Sequence, residues 1–264
     1  MNEPTDKPRA GSDSPSETRP LPVVDAKAPD PARHRAPEEA TAAAPARDET
    51  PGEAAESEPA DESPYLRADN LKAHGHSGTI VEGLTVSGSR GDLLALSGNS
   101  GTGRTTALLA LGGRFGLDTG TLAVGGETKP DRIRDLCAMT TATPAVDFEE
   151  FHTVREVIAE TAVLSRGKAD RSTVERWFSA LGLSLNPKTM WGHLDAMEKK
   201  LATIALTAAE ETPVVLVDDV DAGLDSEDAA AAFGALRQVA DSGRLVIASC
   251  VRADPPVDTA ISLR

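Results

Sequence analysis

Glutamine is almost missing from this chain: Gln238 is the only one. Aromatic residues are nearly as scarce, at 3%, so any hydrophobic core must rest on Leu, Val, Ile and Ala. Only two cysteines occur, Cys137 and Cys250. They are too few for a disulfide framework and lack metal-ligand spacing, which points to a reducing compartment and buried structural thiols. No apolar run approaches the ~20 residues that a membrane-spanning helix requires. The amino terminus, Met1 to Ala10, has no apolar stretch of the secretory kind. Net positive charge is absent too. The formal charge is −15, which argues against a general nucleic-acid surface, since phosphate neutralisation needs clustered Lys and Arg.

What is present divides at about residue 62. Residues 1–62 hold 11 of the 18 prolines, no aromatic residue, and 15 acids against 7 bases, a net of −8 that leaves −7 for residues 63–264. Low hydrophobicity with excess charge buries too little apolar surface to offset chain entropy, so a disordered acidic Pro/Ala-rich tail is expected. From Tyr65 onward, short Val/Leu/Ile runs alternate with helical patterns and Gly turns. This pattern predicts an α/β domain over residues 63–264 with a largely parallel sheet. Strands are expected near Leu93–Ser97, Val214–Val217 and Leu245–Ser249. Helices are expected over Thr105–Leu111, Val154–Leu164, Thr173–Leu181, Glu198–Ala209 and Asp228–Ala240.

The most informative segment is an apolar strand running into Gly98-Asn99-Ser100-Gly101-Thr102-Gly103, followed by Arg104-Thr105-Thr106 and a Leu/Ala-rich helix. Glycines let consecutive amides turn inward around phosphate oxygens, and a helix amino terminus adds partial positive charge. A base beside the last Gly reaches the outer phosphates, and Thr105 can hold Mg2+. The pattern fits G-x-x-x-x-G-K-[ST], with Arg104 in place of Lys. A dinucleotide site of the G-x-G-x-x-G kind fits less well, because the glycines fall as G-x-x-G-x-G.

A second constellation runs from Thr212 to Asp225. Four apolar residues, Val214 to Val217, end in Asp218-Asp219, which delivers carboxylates at the carboxyl end of a strand, where parallel sheets bind ligands. Asp218 is the candidate Mg2+ ligand and Asp219 the candidate catalytic group on an attacking water. A plain surface turn is the competing reading of this segment taken alone.

Phosphate loop, Thr153-Val-Arg-Glu156, a helix, the Asp-Asp strand and Ala222-Gly-Leu-Asp225, in this order, resemble an ATP-binding cassette of the ABC transporter family over roughly residues 65–260. The resemblance implies a P-loop NTPase fold with an ABC-type sheet, flanking helices and a reduced helical subdomain. It implies ATP and Mg2+ as ligands, a separate membrane-spanning transporter subunit as partner, a dimer with itself or a related subunit, and a cytoplasmic, peripheral location. It also exposes departures. The family's Q-loop glutamine is missing around Thr141–Pro144. The LSGGQ signature falls on Leu194-Asp-Ala-Met-Glu198, where Asp195 would repel the phosphate that this motif grips, and Met197 adds bulk. The switch histidine is replaced by Cys250, the catalytic glutamate by the shorter Asp219, and the adenine-stacking aromatic by His74, read as a loop residue. These departures leave a non-catalytic nucleotide-binding subunit as the alternative to an active ATPase, with a DNA-associated relative a distant third.

Overall fold

A computed structural model of the chain describes residues 63–75, 78–140 and 148–263. The chain divides into two units, Met1–Glu56 and Ser57–Arg264, and all described residues lie in the second. The expected tail and the Thr141–Pro144 segment lie outside the described residues.

Strands β1 (Leu66–Gly75) and β2 (Gly78–Gly88) form an antiparallel hairpin, and β4 (Thr119–Val124) pairs with the other edge of β1 in the order β2-β1-β4. The remaining strands are β3 (Leu93–Ser97), β5 (Cys137–Met139), β6 (Val214–Val217), β7 (Leu245–Cys250) and β8 (Thr259–Ser262). They make a second sheet, ordered β5-β6-β7-β3-β8, in which every neighbouring pair is parallel. The expectation of a parallel sheet therefore holds for the segments read as strands, while the antiparallel sheet beside it is an addition. Strands β3, β6 and β7 are buried at every position, as parallel strands covered on both faces must be, and this is why they read as unbroken apolar runs.

Period-2 alternation sends successive side chains of these strands to two different cores. Leu93, Ala95, Val215, Val217, Val246 and Ala248 face α5 (Ala196–Ala208) and α6 (Ser226–Asp241), where Ile204, Phe233 and Leu236 pack. Leu94, Leu96, Leu216 and Ile247 face the three-stranded sheet and α1 (Arg104–Leu111), meeting Leu66, Leu71 and Leu108. Helices α2 (Pro130–Leu136), α3 (Val154–Leu164) and α4 (Arg171–Ala180), with a 3-10 turn at Trp191–His193, complete the described elements.

The helix starts are chemically specified. Thr153 and Asp195 each form a reciprocal capping box with the residue three positions on, Glu156 and Glu198, which fixes the starts of α3 and α5. Asp170 and Asp225 cap α4 and α6 through their carboxylates. Helices α1 and α2 lack such a cap, and α1 is the one that follows the glycine-rich loop. Its N-cap is Gly103, in the left-handed region at φ 83°, with no side-chain cap bond. A Cβ at Gly103 would sit 2.4 Å from the Ile80 carbonyl oxygen, so only Gly lets β2 approach the helix start this closely.

Candidate functional site

The carboxyl ends of β3, β6 and β7 converge on one place. Strand β3 leads into the Gly98–Gly103 loop, and the amino terminus of α1 follows without a side-chain cap, leaving its first amides available to an anion. Asn99, Ser100 and Gly101 are exposed. The Thr102 hydroxyl donates to the Asn99 carbonyl at 2.9 Å, folding the loop on itself. Thr105 and Thr106 are half-buried in the first turn of α1. Arg104 is buried at 8% exposure, and its Nη1 has no hydrogen-bond partner. A buried guanidinium nitrogen left without an acceptor carries a large desolvation cost, which an incoming oxyanion would relieve.

Asp218 stands at the end of β6 and is buried at 7% exposure, which rules out the surface-turn reading. Its Oδ2 accepts the Thr105 hydroxyl at 2.8 Å, so the two residues expected to share a cation are in direct contact. Its Oδ1 accepts the Ser249 hydroxyl at 2.6 Å. The main chain around it is held as well: Asp218 N donates to Thr140 Oγ1 at 3.0 Å, and Asp219 N donates to Ser249 Oγ at 2.8 Å.

Asp219 turns the other way. Its backbone lies in the left-handed region at φ 44°, a conformation Asp tolerates better than most residues. Its Oδ1 lies 2.9 Å from Arg104 Nη2, an ion pair without the alignment of a hydrogen bond. Burial, with the Asp218 charge beside it, pushes the Asp219 carboxyl up, while Arg104 and Lys200 pull it down. Lys200, on α5, donates to the Asp219 carbonyl at 2.7 Å. Its own ammonium is pushed down by burial against the opposing charges of Asp219, Asp221 and Asp218. A cavity of about 450 Å³ borders the pair of aspartates and is lined in part by Thr140, Trp191, Lys200 and Thr203.

Asp221 holds the segment after β7: its carboxylate accepts the amides of Val251 and Arg252 at 3.0 Å each. Cys250, expected at the switch position, is the last residue of β7 and is fully buried. Burial pushes its thiol up to about 11, and that of Cys137 to about 12.

One expectation needs correction. His74 belongs to β1, not to a loop, and its Nδ1 pairs with Asp118 at 2.7 Å. Asp195 is the cap of α5, accepting the Glu198 amide at 2.7 Å, a bond that leaves its negative charge in place. The sequence reading missed Ser249, Thr140 and Lys200. A hydroxyl inside the otherwise apolar Leu245–Cys250 strand was the available signal for Ser249. Among the described residues, no cluster of three or more His, Cys, Asp or Glu side chains is arranged to hold a metal ion by itself.

An uncapped helix start behind a glycine-rich loop, facing a carboxylate at the end of a parallel strand, is the arrangement of a P-loop protein. The family model described as ABC transporter matches residues 81–222, more than half of the chain. The chain belongs to this family. Among curated proteins it is similar to an arabinose import ATP-binding protein of Burkholderia ambifaria, with 26% identity over 203 residues. That match covers 73% of this chain and 40% of the relative. A ribose import ATP-binding protein of Burkholderia thailandensis is 26% identical over 178 residues, 63% of this chain and 35% of the relative. The chain thus spans less than half the length of these curated relatives. Among solved structures, cbiO1 of Clostridium perfringens, described as part of an ABC transporter complex, matches with a TM-score of 0.65 and 18% identity. It covers 77% of this chain and 86% of that one. A nucleotide-free ATP-binding cassette gives a TM-score of 0.64 at 17% identity, over 76% and 87% of the two chains.

Proposed function

We propose that this chain is the ATP-binding subunit of an ABC-type transporter, binding Mg-ATP on residues 98–106 and acting on a separate membrane-spanning chain from the cytoplasmic side. The observation that carries the reading is the Thr105–Asp218 contact at 2.8 Å, set at an uncapped helix amino terminus beside the partnerless Arg104 Nη1. The donor set fits the ligand. A hydroxyl and a carboxylate are hard oxygen donors of the kind Mg2+ takes together with substrate phosphates, and Thr105 and Asp218 would hold it. When bound, Mg2+ neutralises charge on the phosphate oxygens. Arg104 would meet the outer phosphates, and Asp219 would orient water.

A separate membrane partner is supported by two further observations. No helix among the described residues is long and apolar enough to cross a membrane. Apolar side chains also stand in solvent at the two ends of α3, with Phe151 at 70%, Val163 at 76% and Leu164 at 64% exposure, surface that a partner chain would cover. The names of the curated relatives, which refer to sugar import, support transport as the process.

Titration of Mg-ATP into the full chain by calorimetry, beside Arg104→Ala, tests the reading. Saturable binding that the variant loses supports it; no binding by folded protein at millimolar ATP refutes it. A second reading, a binding subunit that hydrolyses little, is favoured by the Arg104–Asp219 pair. In that pair the residues that would serve phosphate and water engage each other. Turnover unchanged in Asp219→Asn, with nucleotide binding intact, would establish it.

A further inference from the structure

Strand order places β7 between β6, which carries the aspartates, and β3, which leads into the phosphate loop. Thr105 and Asp218 therefore meet across the end of β7, and the residue there is Ser249. Its side chain is fully buried, in a strand whose other residues are Leu, Val, Ile, Ala and Cys. A buried hydroxyl in such a strand costs free energy unless both its donor and its acceptor capacity are used. Both are used, and both on the same dipeptide. Ser249 Oγ donates to Asp218 Oδ1 at 2.6 Å and accepts from the Asp219 amide at 2.8 Å.

These two bonds do different jobs. The first occupies one oxygen of Asp218 and so turns the other, Oδ2, toward Thr105. The second pins the peptide nitrogen of a residue whose φ is 44°. It thereby holds a left-handed backbone that points the Asp219 side chain at Arg104 and not along the strand. On the opposite edge of β6, Thr140 gives Asp218 N the matching support at 3.0 Å. Ladder bonds of the sheet stop at Val217, paired with Ala248. Beyond that point, the Ser249 hydroxyl of β7 and the Thr140 hydroxyl just past β5 take over the amides of the aspartates.

We propose that Ser249 is a positioning residue of this site, setting how strongly the Thr105–Asp218 pair takes a divalent cation by fixing both aspartates at once. The proposal rests on the reading of the site as a Mg-nucleotide site. Both bonds of the Ser249 hydroxyl go to the aspartates; it acts through Asp218, as outer-shell partners of metal ligands do, where replacement typically costs about 10- to 100-fold in metal affinity. The diagnostic quantity is the gain in ATP affinity when Mg2+ is added. A general loosening of the fold would lower affinity with and without the cation alike. Loss of the Ser249 brace lowers the gain.

The test measures Kd for ATP with full-length protein, in chelator and in saturating Mg2+, for the native chain, Ser249→Ala, Ser249→Cys and Ser249→Thr. Thermal melting reports folding of each. The native chain is expected to bind more tightly with Mg2+, Ser249→Ala to lose about tenfold of that gain, and Ser249→Thr to recover most of it by restoring the hydroxyl. Ser249→Cys keeps the packing with a weak donor and should behave like Ser249→Ala. If Ser249→Ala does not fold, Ser249→Cys carries the comparison. A native chain that binds no ATP overturns the nucleotide reading, and this proposal with it. A native chain that binds, with the same Mg2+ gain in folded Ser249→Ala or Ser249→Cys, overturns this proposal alone.

Discussion

Replacing Asp219 by Asn should tighten ATP binding, not weaken it. Arg104 Nη2 is 2.9 Å from Asp219 Oδ1, so the base expected to meet the outer phosphates is paired to a neighbour. A phosphate must displace that carboxylate to reach the guanidinium. Two unit charges about 4 Å apart attract by about 4 kcal/mol at an effective dielectric of about 20. The Asp219 side chain is 38% exposed, however, so water screens the pair and its net worth falls to about 1 kcal/mol. Removing the competitor should strengthen ATP binding by about 1 kcal/mol, or about fivefold in Kd. Loss of repulsion between Asp219 and the phosphates acts in the same direction. Asn is nearly isosteric and tolerates the left-handed backbone at φ 44°, so the loop should keep its shape. Calorimetric titration of ATP into both proteins reads the change, and repeating it in an Arg104→Met background tests its origin. There the gain should shrink, since the competition no longer exists. An Asp219→Asn protein that binds ATP as weakly as the native chain, or more weakly, would refute the argument.

Three further outcomes follow from the same structure. Asp195→Ala removes the capping carboxylate of α5 and should cost about 1 kcal/mol, read as a lower urea midpoint with an unchanged slope; an unchanged midpoint would count against the cap. Phe233→Ala empties a fully buried position in the core beneath α6 and should cost about 3–5 kcal/mol in the same assay. Neither thiol should react with an aromatic disulfide reagent at pH 8 in the native chain, and both should react in guanidinium. In the unfolded chain the thiols ionise near their ordinary 9.0, whereas the folded chain holds them protonated to about 11 at Cys250 and about 12 at Cys137. Stability should therefore be unaffected by these groups below pH 9 and should fall as pH rises from about 9 toward 12.

How much of this was legible in the sequence depended on how local the determining forces are. Helix α3 begins and ends where the pattern placed it, because Thr153 and Glu156 specify its start within four residues. Strands β3 and β6 were legible because burial on both faces makes them uniformly apolar. Strand β1 was missed. Its alternation is broken by register shifts between Ala68 and His74, and Asn70 sits at φ 49°, so no clean period of two survives. Strand β8 is short and mostly exposed and carries no apolar run. Helix α2, only seven residues long and opened by Pro130, has too few turns to show a period. In the site, the position of the glycine-rich loop before α1 and of Asp218 at the end of β6 could be read from local order alone. The pairing of Arg104 with Asp219 and the roles of Ser249 and Thr140 could not, because each rests on a partner brought close only by strand order.

That strand order also dictates when the site can come into being. Strand β3, which supports the glycine-rich loop, finds its partners in β7 and β8, more than 140 residues later in the chain, and Thr105 reaches Asp218 across a separation of 113 residues. A growing chain that has emitted its glycine-rich loop therefore has no site. Closing such long loops is the slow part of folding, and β3, with apolar side chains on both faces and no partner strand on either edge, is the segment exposed to wrong pairings in the interval. A ligand that recognises the finished site cannot template its early assembly; it can only hold what residues 245–262 complete.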